Sequence, residues 1–252
     1  MSDLLYVTGP RAIADGRGET MLTESITYLR DSDDAWKTAI IGGVFLLFGF
    51  LLIPLFLVWG YVVRVLDRTA RGDDEAPVFD EWGEMTIEGA KAFVILLAYS
   101  LVPIVFGAIT VGGGILAVGG DPGALGAAVI AALGLLTFVV AVGAAYVAPA
   151  ALAQFAAERR IRAGFDLEEL RPVLRSGTYA TNWLVALGIV IVGSFVSGIL
   201  GSIPFVGAIL GAIVAFYALV AAYYVIGHAW LDLHPISVDG ANGESTGDRP
   251  AV

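Results

Sequence analysis

The sequence predicts an all-α fold, a polytopic transmembrane helical bundle, and three observations carry that prediction. Apolar residues make up 58% of the 252-residue chain, against about 45–50% in soluble domains, and mean hydropathy is +0.82. Four runs contain no charged residue, at 38–63, 92–120, 122–157 and 176–231. A helix crosses the roughly 30 Å of hydrocarbon in about 20 apolar residues, so each run is long enough to span and the last must hold two helices. All charged residues except Asp121 fall in the segments 1–37, 64–91, 158–175 and 232–252. The expectation is five or six membrane segments in one transmembrane domain, residues 21–235, multi-pass in the cell membrane with the lipid bilayer as its first partner.

Charge narrows the partners further. The net charge is -10 and the bases are twelve Arg against only Lys37 and Lys91, which argues against nucleic acid, because phosphate binding needs a basic face. The chain has no Cys, which excludes disulfides, zinc fingers and thiol catalysis. Acid-rich loops with scarce Lys suit molar salt, where the Debye length falls to about 3 Å and like charges repel weakly. A halophilic source is the expectation.

Taking the elements in order, residues 1–20 carry Gly, Pro and charges without periodicity, and read as a disordered or mis-annotated extension with Met21 as the true start. No signal peptide is expected ahead of the first span, because the charged stretch is long and the apolar run exceeds a normal h-region. From Met21, Leu22, Ile26 and Leu29 recur at helical spacing, which predicts an amphipathic helix lying in the interface. Trp36 and Lys37 mark a membrane boundary, one end of each side chain being apolar and the other polar.

Run 38–63 carries Pro54 near its centre, so it is either one kinked helix or a hairpin whose second arm runs on past Tyr61, Arg64 and Arg68. Lys and Arg number four in 1–37, four in 64–91, five in 158–175 and none in 118–123 or 201–207. Because such residues concentrate on the cytoplasmic side, the hairpin reading places every base-rich segment and both termini inside, in three helical hairpins. The alternative is five spans with the N-terminus outside. In the hairpin reading each outer turn contains a proline: Pro54, Pro122 and Pro204. A weak repeat, RTARGDD at 68–74 and RIRAGFD at 160–166, follows a span in both places.

The segment PVFDEWGEMTIEGAK, residues 77–91, spaces Phe79, Trp82 and Met85 three apart. That spacing predicts an interfacial belt helix with Asp80, Glu81, Glu84 and Glu88 in or near water. A sharper reading makes Phe79, Asp80 and Trp82, with Arg64 and Arg68, an interaction surface for a membrane-protein partner or a second copy.

The stretch GYVVRVLDRTARGDDEAPVFDEWGEMTIEGAKA, residues 60–92, with Gly60, Tyr61, Arg64, Gly72, Pro77, Phe79, Trp82 and Gly89, closely resembles the shared motif of the archaeal membrane proteins grouped as DUF4013. IIGG at 40–43 and AAERRIRAGFD at 156–166 also look like that family, so the likeness extends over most of 21–230. What the resemblance implies is an integral membrane protein with no activity to carry over.

Other chemistry is sparse. His228, Asp232 and His234 are near in sequence, but Pro235 stops the helix and an interfacial imidazole beside Trp230 needs no metal, so neither metal nor cofactor is expected. The spans lack Asp, Glu, Lys and Arg, which argues against a proton or sodium relay. Tyr99, Ser100, Gln154 and Asn182 could line a path for a neutral solute, and Pro103 and Pro149 would free carbonyls in mid-span. Gly193, Ser197 and Gly201, like Gly207 and Gly211, stack four apart and allow close helix approach. No His is placed to activate a serine. Residues 236–252 are polar, acidic and rich in Gly and Ser, and read as disordered. The functional expectation is a non-enzymatic membrane module that assembles proteins or organises lipid; the alternative is a transporter or channel for a small neutral or apolar solute.

Overall fold

The computed structural model describes residues 23–28, 35–49, 51–73, 75–118, 123–204 and 206–234. The expectations for 1–20, for the start at Met21 and for the tail 236–252 fall outside these residues. Helix accounts for 88% of what is described, with no strand there. The helices are α1 Ala35–Leu47, α2 Leu52–Ala70, α3 Trp82–Gly107, α4 Gly123–Glu158, α5 Leu167–Leu174, α6 Gly177–Gly201 and α7 Val206–Leu233. A π-helical turn, Ala108–Gly112, joins α3 to a last helical stretch, Gly113–Val118, and a 3-10 turn, Ile161–Phe165, precedes α5. Among the described residues, four helices are long and apolar enough to cross a membrane: Trp82–Ala117, Gly123–Glu158, Gly177–Gly201 and Val206–Leu233.

The first apolar run divides in two. α1 ends at Leu47, the Leu51 N–H bonds back to the Phe48 carbonyl, and Pro54, expected in the turn itself, falls instead in the first turn of α2, where its missing N–H has no helical partner to lose. The two helices run in opposite directions. Gly42 and Gly43 of α1 lie against Phe216 and Ile213 of α7, a descending register, whereas Tyr61, Thr69 and Gly72 lie against Phe216, Gly227 and Leu231, an ascending one. α3 and α4 are also antiparallel, Gly107 meeting Thr137 and Gly114 meeting Leu133. So are α6 and α7, with Gly193 on Ala218 and Gly207 on Leu200. Three hairpins therefore bring the helix ends at Ala70, Trp82, Glu158, Gly177 and Leu233 to one end of the bundle, the charged end.

α2 is the central element. Tyr61, Val62, Val63, Val65 and Leu66 are fully buried, because α1, α3, α4 and α7 all pack against this helix. Gly60 and Gly89 set the α2–α3 distance: a Cβ on Gly89 would stand 1.7 Å from the Phe56 carbonyl oxygen, and one on Gly60 would stand 2.1 Å from that of Met85. The core lies toward the charged end, with Phe155, Tyr179, Val225 and Trp230 buried together. Toward the other end, the outer parts of α3, α4 and α6 turn apolar side chains outward, among them Ile109, Leu116, Leu125 and Phe195.

Segment 77–91 differs from its expectation. The helix begins at Trp82 and runs straight into the span, so Phe79 lies before it on an irregular strap and Met85 and Glu88 are buried. The reason is the close α2–α3 contact through Gly60 and Gly89, which draws this segment into the bundle. Of the amphipathic turn after Met21, residues 23–28 are described, and its buried side is Ser25 and Tyr28, while Ile26 is half exposed. The two repeat-like segments adopt different conformations. Gly72, with φ +75°, closes α2 in a Schellman motif, Asp73 N–H bonding to the Arg68 carbonyl at 3.0 Å and Gly72 N–H to that of Thr69 at 3.0 Å. Gly164 instead sits in the 3-10 turn against Ile95.

Candidate functional site

Of the residues expected to form an interaction surface, Phe79 and Arg64 turn inward, while Asp80, Arg68 and Trp82 keep much of their side chains exposed. Phe79 stacks on Tyr61 with ring centroids 4.6 Å apart and touches Phe45, Phe216 and Trp82 at 5.8, 6.1 and 5.9 Å. It thereby pins the strap between α2 and α3 over the α1–α7 contact. Asp80 pairs with Arg64, which also reaches Glu81 at 3.1 Å. Arg64 is therefore turned onto the strap, with its side chain 13% exposed, rather than extended to a lipid boundary. Arg68 donates to the Glu75 carbonyl at 3.5 Å and lies 3.9 Å from Asp73. Trp82 is 46% exposed and is the one large apolar group of the set that reaches the surface.

A second set of charges ties the hairpins together. Arg159, just beyond α4, pairs with Asp67 of α2 at 2.7 Å and with Glu88 of α3, and Arg71 meets the other Asp67 oxygen at 2.7 Å. Both carboxylates are buried, and a buried carboxylate is tolerated only when paired. Arg159 has φ 58°, a left-handed backbone that costs a non-glycine residue about 1 kcal/mol. That turn reverses the chain at the α4 end and keeps the guanidinium between the two acids. Charge counting placed these residues in loops; only the end-to-end packing of α2, α3 and α4 joins them. The spacing of Arg64, Asp67, Arg68 and Arg71 at three and four residues was the available signal that α2 continues as helix to Ala70.

The carbonyl freed by Pro149 is used. Proline cannot donate to Ala145 four residues earlier, and the Trp183 indole N–H bonds to that carbonyl at 3.1 Å. Tyr179 donates to the next carbonyl, Tyr146, at 2.7 Å. Neither Pro103 nor Pro149 interrupts its helix. The four polar residues considered for a solute path have different surroundings. Tyr99 and Ser100 line a crevice beside α2, Gln154 donates to Glu169 at 2.6 Å, and Asn182 is buried on α6. His234 stacks on Trp230 and His228 lies against Tyr224, each pair with centroids 4.4 Å apart.

Two apolar openings stand out. A groove of about 510 Å³ runs between α6 and α7, bounded by Ile26, Gly188, Val192, Val214 and Tyr217. A crevice of about 360 Å³ lies between α2, α3 and α4, with Trp59, Phe93, Tyr99 and Pro103 on its walls.

A family model described as a protein of unknown function, DUF4013, matches residues 44–202, more than half of the chain. The chain belongs to the DUF4013 family. No curated protein and no solved structure matches it. The match takes in most of α1–α6, together with the strap and the Arg159 turn, and stops short of α7. Within this DUF4013 protein, the motif residues at 60–92 have legible structural work: Gly60 and Gly89 for helix approach, Gly72 for the left-handed cap, and Tyr61, Phe79 and Trp82 for the aromatic pin. Arg64 holds the strap by its acids.

Proposed function

We propose that this DUF4013 protein is a non-catalytic, multi-pass module of the cell membrane that organises lipid, with acyl chains held in its apolar grooves. The observation that carries the reading is the α6–α7 groove, about 510 Å³ in volume and lined almost wholly by apolar groups. Lipid is preferred over a docked protein because Phe79, Asp80 and Arg64 already engage one another and the bundle. It is preferred over solute transport because Gln154 and Asn182 are not among the groups that line the two apolar openings. The acid-rich composition, with net charge -10, supports a halophilic archaeal setting, as screening removes most like-charge repulsion at molar salt.

The test is native mass spectrometry after mild-detergent purification. The expected result is retained lipid without a stoichiometric protein partner, and less of it in Gly188→Phe. Gly188 lines the groove and has open space where a Cβ would go, so the substitution fills the groove without a clash. A stoichiometric protein partner with no retained lipid would overturn the reading.

A further inference from the structure

We propose that the crevice between α2, α3 and α4, together with Arg162, binds one anionic membrane phospholipid, the acyl chain in the crevice and the phosphate on the guanidinium. The inference rests on the lipid-organising reading and assigns it a headgroup class at a second location.

The crevice holds about 360 Å³, within the roughly 300–1,000 Å³ of small-molecule sites. It stays open because α4 presents Ala141, Ala144, Ala145 and Ala148 to it. Its floor is Trp59, a flat apolar surface from the central helix. Tyr99 forms a wall that the crevice shares with the charged end. Its hydroxyl donates to the Gly164 carbonyl at 2.9 Å, and its ring lies nearly parallel to Phe165 at 5.8 Å. The apolar wall is thus continuous with the 3-10 turn that carries Arg162.

On that turn the charges are unevenly used. Glu158 pairs with Arg160, Glu169 accepts from Gln154, and Asp166 caps α5 through the N–H groups of Glu168 and Glu169. Arg162 has no ion-pair partner among the described residues. Ile161 and Phe165, which flank it, are 37% and 42% exposed. A free guanidinium between exposed apolar groups, at the end of a helix that enters the apolar layer, suits the level of lipid headgroups. The guanidinium fork fits phosphate oxygens in pairs. A zwitterionic headgroup offers the same phosphate beside a cation that offsets the attraction.

The experiment uses the full chain in bilayers containing a small fraction of brominated phosphatidylglycerol or brominated phosphatidylcholine, reading tryptophan quenching. Phosphatidylglycerol is expected to quench at about fivefold lower mole fraction than phosphatidylcholine, the size of one basic residue's preference for an anionic leaflet. Arg162→Gln is expected to abolish that ratio, and Trp59→Phe to remove the selective component. Ser100→Phe, placed on the exposed rim of the crevice, should weaken quenching by both lipids. Equal quenching by the two lipids in the parent protein, or a preference that survives Arg162→Gln or Trp59→Phe, would overturn the site while leaving lipid binding elsewhere intact. Absence of quenching by either lipid would overturn the site and the lipid-organising reading together.

Discussion

Arg159 carries more of this architecture than any other single charge. It accepts a left-handed backbone and in return neutralises Asp67 and Glu88 from two other helices. Removing one partner of a buried pair costs about 3–5 kcal/mol; because the Arg159 side chain is 38% exposed, Arg159→Met should cost less, about 2 kcal/mol after screening. Adding Asp67→Asn and Glu88→Gln to that variant should recover part of the loss, since no buried charge is then left unpaired. SDS titration followed by tryptophan fluorescence would measure both, and a triple variant weaker than Arg159→Met would refute the argument. Gly89 makes a steric prediction at the same scale. Its absent Cβ would stand 1.7 Å from a backbone oxygen, so Gly89→Ala must push α3 off α2, at a cost of about 1–3 kcal/mol. A thermal midpoint equal to the parent's would show that the two helices do not meet there.

At the scale of elements, α4 is bonded to α6 through a defect in its own ladder. Pro149 leaves the Ala145 carbonyl without its helical donor, and Trp183 supplies one from α6. Trp183→Phe keeps an aromatic ring, though a smaller one, and removes the N–H, whose loss should cost about 1 kcal/mol. In a Pro149→Ala background the helix provides its own donor, so the same substitution should cost clearly less. A double-mutant cycle showing no coupling would mean that the two changes act independently. The upper part of the α3–α4 hairpin is held differently, by the Thr110–Thr137 hydroxyl contact at 3.1 Å beside the π turn. Hydroxyl pairs of this kind contribute about 0.6 kcal/mol in a bilayer.

For the whole molecule, three hairpins around a buried central helix place all described interhelical loops of one kind at one end. The chain has no Cys, so single cysteines report sidedness directly. Glu75→Cys and Glu168→Cys, at the charged end, should be labelled by an impermeant maleimide from the same side of sealed vesicles, and Leu51→Cys and Ser202→Cys from the opposite side. Labelling of Leu51→Cys together with Glu75→Cys would mean that α2 does not cross, and the hairpin arrangement would fall. The apolar area left on the outer ends of α3, α4 and α6 follows from the same layout, in which protein packing is concentrated near the charges.

Charge-free runs and the placement of the basic residues were enough to fix the class of this protein and to hold its membrane segments to five or six, because a bilayer sorts residues by solvation free energy, a property each segment carries in its own composition. The first hairpin was legible in part: Pro54 breaks a helical ladder, which left a kinked helix or a turn near Pro54, and the base-rich segments favoured the turn, but Pro54 itself proves to sit in the first turn of α2 rather than in the connection. What composition could not decide was which loop residues are buried. Phe79, Glu88 and Asp67 have the polarity or position of surface groups in their local sequence, and they are internal because Gly60 and Gly89 bring α2 and α3 into backbone contact and the end of α4 returns Arg159 to meet them. Such partners lie far apart in the chain, and their pairing free energy exists only once the helices are packed.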